Sequence, residues 1–557
     1  MKKEAILHIP MSEYGHGISE SRVVFRLRAA KGDLTRCVFH YGDRACKENP
    51  MIFTGCPMSV VASDLLFDYW EVEFDTPYRR ICYYFELWDG AERALYYGDL
   101  FYEHLVDERS EYFQLPYLHR GDIAKAPEWA KDGIIYNIFP DSFATGHTSI
   151  SGRPSKEMFN GQTVEGKLGG TIKGITENVG YLQKLGVNCI YINPIFAAGK
   201  YHKYDLLDYY TIDPCFGTNA DFAELVRVFH NVGIRVIIDG VFNHCGWRFF
   251  AFDDVVKKGE KSRYKDWFYR LEYPVIRPDN EEDIPGYECF AYERLMPKLD
   301  TTNPEVREYL YDVCRHWIRE YDIDGWRLDC ADEVDSRFWR GMLEAAREVK
   351  PDVFMIGEVW PNAAYWLDGS MFHSTMNYFF RKHCREFFAE ERIDAAHFSA
   401  RVTNMLLRYR KNLTSVQLNL LDSHDVSRFL SLCKGDKDKF KLAVLFQMCF
   451  VGIPSIFYGD EQGMAGVTEE EYRHPMIWDG DRDLFSFYQR AIALRREYAP
   501  LRRGSFRTLA ANGRSFVFER EYEGTKIVVS LNGTGLTEGT VIWEDKHFTV
   551  TIQKSDG

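Results

Sequence analysis

The chain has 557 residues, 45% hydrophobic and 27% charged, a balance that suits folded domains and a length that allows three or four of them, fewer if one is a barrel. Its 69 Lys and Arg against 83 Asp and Glu give a formal charge of −14, which argues against a nucleic-acid footprint. No run reaches the ~18 apolar residues of a membrane span, and Met1–His8 lacks the apolar core of a signal peptide. The 13 cysteines, odd in number and without C-x-x-C spacing, suit buried thiols in a reducing cytoplasm and make poor metal ligands.

Residues 1–120 alternate polar and apolar positions, as in Ser21–Arg28 and Tyr69–Phe74, with turn clusters such as Ala29-Ala30-Lys31-Gly32-Asp33 between them. This spacing predicts a small β-sandwich, and Gly121–Pro127 reads as the link to the next unit. From residue 133 the rhythm changes. Residues 133–139, 186–192 and 233–239 are short apolar runs of the kind buried on both faces, separated by helical patterns such as Ala220–His230. Further strands are expected at 323–329, 352–357, about 372–377, 415–421 and 454–458, which makes eight. The predicted architecture is α/β, a (β/α)8 TIM barrel over 121–504 with a subdomain inserted after strand 3, at about 245–300. Residues 505–557 return to alternation and predict a short C-terminal β domain.

In such a barrel the working residues gather at the C-terminal ends of the strands. Strand 3 ends in Asp239-Gly240-Val241-Phe242-Asn243-His244, and strand 4 in Gly325-Trp326-Arg327-Leu328-Asp329. Strand 5 ends in Gly357-Glu358-Val359-Trp360, and strand 7 runs into Asp422-Ser423-His424-Asp425. Arg327 and Asp329, two apart, emerge on one side of a strand, where the guanidinium can keep the carboxylate ionised as a nucleophile requires. One such pair alone is commonly structural. Four strand ends carrying acids, histidines and an arginine point to a site.

These segments resemble the region motifs of the α-amylase family, glycoside hydrolase family 13. Tyr201-His202-Lys203-Tyr204-Asp205, Met296-Pro297-Lys298-Leu299-Asp300 and Gly452–Glu461 add to the resemblance. The MPKL segment and the extra N-terminal β domain are similar to the neopullulanase, cyclomaltodextrinase and maltogenic amylase subfamily. The resemblance implies Asp329 as nucleophile, Glu358 as general acid/base and Asp425 as the third carboxylate. It implies Tyr204 stacking beneath the sugar to be cleaved, with His244 and His424 donating to its hydroxyls and Arg327 orienting Asp329. Phe290, Trp360 and Glu333 are candidates for the acceptor side, the two aromatics standing equally well as core packing, and Arg473 matches a substrate-side arginine.

The activity so implied is retaining hydrolysis of α-1,4 bonds in cyclodextrins and maltooligosaccharides, with pullulan a further candidate. Retention carries an expected carboxyl separation of ~5 Å, against ~6.5–9.5 Å for inversion. A transglycosylase would use the same intermediate, with Glu333 and the hydration of the acceptor site deciding between water and sugar. A non-catalytic α-glucan-binding protein is disfavoured, because all three carboxylates stand in motif context. Asp300 occupies a position where the subfamily usually has asparagine, which leaves fine specificity open. Many relatives hold calcium in the loop after the first strand. Here Phe139–His147, and Thr171 after Gly169-Gly170, offer few oxygen ligands, so neither structural calcium nor any other metal or cofactor is expected. The expected partners are α-glucan oligosaccharides and a second copy of the chain in a homodimer, whose N-terminal domain would roof the other subunit's site. No nucleic acid or membrane is expected, and the location is cytoplasmic.

Overall fold

The computed structural model describes every residue except 147–149, 151–153, 279, 281, 534–537 and 555–557; His147 of the predicted calcium-poor loop lies outside the described residues. Its centre is a parallel barrel of eight strands. These are β1 (Ile135–Ile138), β2 (Cys189–Ile192), β3 (Arg235–Gly240), β4 (Gly325–Leu328), β5 (Phe354–Gly357), β6 (Ser374–Thr375), β7 (Leu418–Leu420) and β8 (Ile453–Phe457). The hydrogen-bonded order is β6-β5-β4-β3-β2-β1-β8-β7, and a parallel bridge from Met376 to Leu418 joins the two ends. Apart from Arg235 at the start of β3, every strand residue is buried, as continuous apolar runs demand. β6, expected at about 372–377, forms only two residues of ladder.

Two antiparallel sheets make up the N-terminal sandwich, closed by a core that includes Phe25, Phe39, Tyr83, Phe85 and Phe113. Strand Arg22–Ala30 is buried almost throughout, although its sequence alternates. The reason is that its second face docks on the barrel. Arg26 pairs with Glu71 at 2.7 Å and reaches the Leu407 carbonyl at 3.1 Å, while Lys411 bridges Glu71 and Glu73 at 3.2 and 2.5 Å. At the other end of the chain, strands within 505–554 form a five-stranded antiparallel sheet. Its Phe516 packs edge-on against Phe398 and Phe446 of the barrel helices.

Two insertions shape the barrel mouth. The first βα connection carries a hairpin, Ser155–Phe159 with Gln162–Gly166, that turns at Asn160-Gly161 with both φ values positive (48° and 76°). The third contains helix Phe250–Lys258 and a short hairpin, Cys289–Phe290 with Glu293–Pro297. A bridge between His244 and Lys298 ties the base of that hairpin to the end of β3.

Candidate active site

Register builds the site. Leu328 of β4 lies opposite Gly357 of β5, so the next residues, Asp329 and Glu358, leave the barrel side by side. One strand over, Asp239 lies opposite Arg327. A Cβ at Gly357 would stand 2.6 Å from the Phe372 ring, so the strand keeps a glycine just before the acid. After Asp329 the chain turns sharply through Cys330, which adopts a left-handed conformation (φ 45°) and donates its N–H to Glu358 Oε2 at 3.0 Å. A carboxyl oxygen of Asp329 and one of Glu358 lie within 4.8 Å of each other.

Arg327 is wholly buried beneath these groups. Its Nη1 donates to Asp329 Oδ1 at 2.8 Å and to both Asp239 oxygens at 3.2 Å, and its Nη2 pairs with Glu358 Oε1 at 2.8 Å and faces Asp425 Oδ2 at 3.9 Å. The expectation that Arg327 keeps Asp329 ionised is therefore incomplete, because one guanidinium is shared among four carboxyls. Burial, followed by the charge of Glu358, pushes the Asp329 carboxyl well above the usual range, and Arg327 only opposes them. The Asp329 carboxyl thus sits beside a second carboxyl and a shared guanidinium, the neighbours a nucleophile and an acid have in a retaining site.

Asp425 is set apart from that pair. Burial pushes it upward, but His424, Arg327 and Arg473 outweigh burial and hold it below the ordinary carboxylate range. His424 Nε2 lies 3.0 Å from Asp425 Oδ2 and 2.6 Å from the Tyr204 hydroxyl; Arg473 Nη2 is 3.5 Å from Asp425 Oδ1, and its Nε donates to the His424 carbonyl at 2.8 Å. The Tyr204 hydroxyl also donates to Asp239 at 3.2 Å, so this ring is fixed by two partners before any ligand arrives.

His244 stacks on Phe290, with centroids 4.8 Å apart. Burial, then Lys298, lowers the His244 pKa to about 3, so the imidazole is neutral at physiological pH, and its buried Nε2 has no hydrogen-bond partner. Glu333 is held by Asn243 at 3.2 Å and Lys298 at 3.5 Å. Trp360, 47% exposed, stacks flat on Tyr378 at 3.7 Å and donates to Glu358 Oε1 at 3.2 Å. These side chains enclose a cavity of about 520 Å³.

All eleven residues expected from the sequence meet here. Asp329, Glu358, Asp425, Tyr204, His244, Phe290, Glu333, Trp360 and Arg473 line the cavity, and Arg327 and His424 lie against its acids. Sequence reasoning missed Asn193, which donates to His424 Nδ1 at 3.0 Å, Tyr191, which donates to Asp239 at 2.5 Å, and Tyr378 beneath Trp360. Asn193 sits one residue past β2, the strand-end rule that located the other groups; Tyr378 carries no such signal. Among the described residues, the one cluster of three or more His, Cys, Asp or Glu side chains placed to hold a metal is Asp329, Cys330 and Glu358. Arg327 already supplies positive charge to both of its acids.

The α-amylase catalytic-domain family matches residues 137–480, and the N-terminal immunoglobulin-like domain of α-amylases matches residues 1–119. The chain is 42% identical to a cyclomaltodextrinase of Thermoanaerobacter pseudethanolicus over 97% of its length and 94% of that protein's. It is likewise 42% identical to neopullulanase 2 of Thermoactinomyces vulgaris over 96% of its own length and 92% of the other's. A solved cyclomaltodextrinase structure superposes with a TM-score of 0.91 at 38% identity, covering all of this chain and 98% of that one. With both domains matched and the barrel-mouth acids in place, this chain belongs to the α-amylase family of glycoside hydrolases.

Proposed function

We propose that the protein is a retaining hydrolase of α-1,4-linked glucans, acting on cyclodextrins and maltooligosaccharides, with pullulan a further substrate. The observation that carries the mechanism is the spacing of Asp329 and Glu358, whose oxygens come within 4.8 Å, the range of retention. Asp329 attacks the anomeric carbon while Glu358 protonates the departing glycosidic oxygen. Water, deprotonated by Glu358, then releases the sugar from Asp329. Asp425, held below the ordinary carboxylate range by His424, Arg327 and Arg473, accepts from ring hydroxyls, and His244 lines the same cavity. Tyr204, clamped by His424 and Asp239, presents a ring face for the sugar's C–H groups.

The substrate class rests on the similarity to cyclomaltodextrinases and a neopullulanase. The test is chromatography of products from γ-cyclodextrin, pullulan and starch under identical conditions. Maltose from the cyclodextrin supports the reading, and no release from any of the three would refute it. Glu333, fixed beside the acceptor side, favours a second activity in which a sugar hydroxyl replaces water. Longer or branched products at high maltooligosaccharide concentration would reveal it.

A calcium-free first loop is supported by the engagement of its donors: the Gly146 carbonyl accepts from Asn178, Thr171 caps a helix at Gly174 N, and Asp141 accepts the N–H groups of Lys167, Leu168 and Gly169. A thermal midpoint unchanged by chelator is expected. A cytoplasmic location is supported by thirteen unpaired cysteines and by 39% identity to an intracellular maltogenic amylase of Bacillus subtilis. Exposed Ile52, Leu66 and Leu100 on the N-terminal sandwich support a homodimer contact there.

A further inference from the structure

The hairpin of the third connection ends in an aromatic side chain that the fold does not use. Tyr292 lies at its turn, between Phe290 and Glu293, and both of these neighbours line the catalytic cavity. The Tyr292 side chain is nonetheless 91% exposed. Its flanking backbone is fixed: Ala291 adopts a left-handed conformation (φ 46°), Phe290 pairs with Glu293, and the hairpin base is bridged to His244. A tyrosine ring so exposed is open to a ligand, and it stands on a hydrogen-bonded hairpin turn at the rim of the cavity.

The position of the lip says which part of a substrate would meet it. Tyr204, His424 and Arg473 gather with Asp425 on one side, where the sugar attacked by Asp329 must lie. Lys298, at the hairpin base, holds Glu333, the acid expected on the acceptor side, towards which Glu358 releases the leaving sugar. On that side Trp360 presents its own ring, backed by Tyr378.

We infer that Tyr292 is an outer platform on the leaving-group side, taking a glucose ring beyond those seated in the cavity, and so sets a preference for longer or cyclic α-glucans over the shortest ones. This inference rests on the α-glucan reading of the site. A flat hydroxylated ring presents its C–H face to an aromatic while its hydroxyls remain in water, so the chemistry of the ligand matches an exposed tyrosine on a fixed lip.

The experiment compares kcat and KM for wild type, Tyr292→Ala and Tyr292→Phe across linear maltooligosaccharides from maltotriose to maltoheptaose, with the oligomeric state of each measured by sedimentation. For Tyr292→Ala the expected loss in kcat/KM grows with chain length to roughly three- to tenfold for maltoheptaose, is carried by KM, and is reversed by Tyr292→Phe. A loss equal at every length, no loss at maltoheptaose, or a loss that accompanies a change in sedimenting mass would overturn the platform, the last by making Tyr292 a subunit contact. Wild-type protein inert on the whole series would instead bring down the α-glucan reading beneath it.

Discussion

Asp329 and Glu358 stand side by side because two parallel strands are in register, and this pairing decides the chemistry. Removing either acid disables a different step. Asp329→Asn deletes the nucleophile and should lower turnover of γ-cyclodextrin by at least ~10³-fold, while Glu358→Gln removes the proton donor and should cost roughly 10²- to 10⁴-fold. The two variants separate on an aryl glucoside with a good leaving group, which needs no proton: Glu358→Gln should recover its first step there and Asp329→Asn should not. Equal behaviour of the two would contradict the assigned roles. At this scale the sequence was informative, because each acid follows directly on an apolar strand and strand ends converge in a barrel. What it could not convey was the sharing of charge. Arg327 and Asp329 two residues apart suggested one ion pair, whereas folding brings Asp239, Glu358 and Asp425 to the same guanidinium. Those contacts depend on register and inter-strand geometry, which adjacency in the chain does not encode.

Secondary elements hold the site through buried polar contacts as much as through packing. Lys203, fully buried in a left-handed conformation (φ 64°) one residue before Tyr204, pairs with the equally buried Asp213 at 2.9 Å and with the Glu165 carbonyl of the first-connection hairpin at 2.8 Å. Asp213 in turn accepts the N–H groups of Ala198 and Cys215. Lys203→Met leaves a buried carboxylate uncompensated and should destabilise the protein by about 3–5 kcal/mol, read as a lowered thermal midpoint; an unchanged midpoint would show that the pair carries no structural weight. The eight strands were legible because apolar runs buried on both faces leave little choice of structure. The first-connection hairpin has a strong turn signal in Asn160-Gly161, but its strands are mostly polar in sequence and only Val164 is buried in the core, so no alternating apolar face marks them. β6 is shorter than the stretch of about 372–377 suggests, since an apolar stretch cannot tell ladder residues from the buried chain on either side.

At the scale of the whole molecule, burial of neutral groups sets a limit in acid. His8 and His202 are each lowered by burial to about 4, and His16, His244 and His373 to about 3. The unfolded chain binds protons at these positions below pH ~6.5, whereas the folded chain does so only near 3–4. Unfolding therefore takes up protons throughout that window, so stability falls as the pH falls from 6.5 towards 4, each group contributing up to ~1.4 kcal/mol per pH unit. Thermal midpoints measured from pH 7 to 4 should decline steadily, and a flat profile would contradict the burial of neutral imidazoles. The N-terminal sandwich belongs to this scale too. Its alternating strands were readable, but its docking on the barrel through Arg26, Glu71 and Lys411 was not, because charged residues in a strand read as a solvated face. If its exposed apolar residues form the subunit contact, sedimentation at micromolar concentration should give twice the 65.1 kDa chain mass; a monomer would refute that assembly. Double displacement on Asp329 fixes the anomeric configuration of the first product. Proton NMR during early cleavage of γ-cyclodextrin or maltoheptaose should show the α-anomer appearing first and mutarotating afterwards; initial release of the β-anomer would contradict the account.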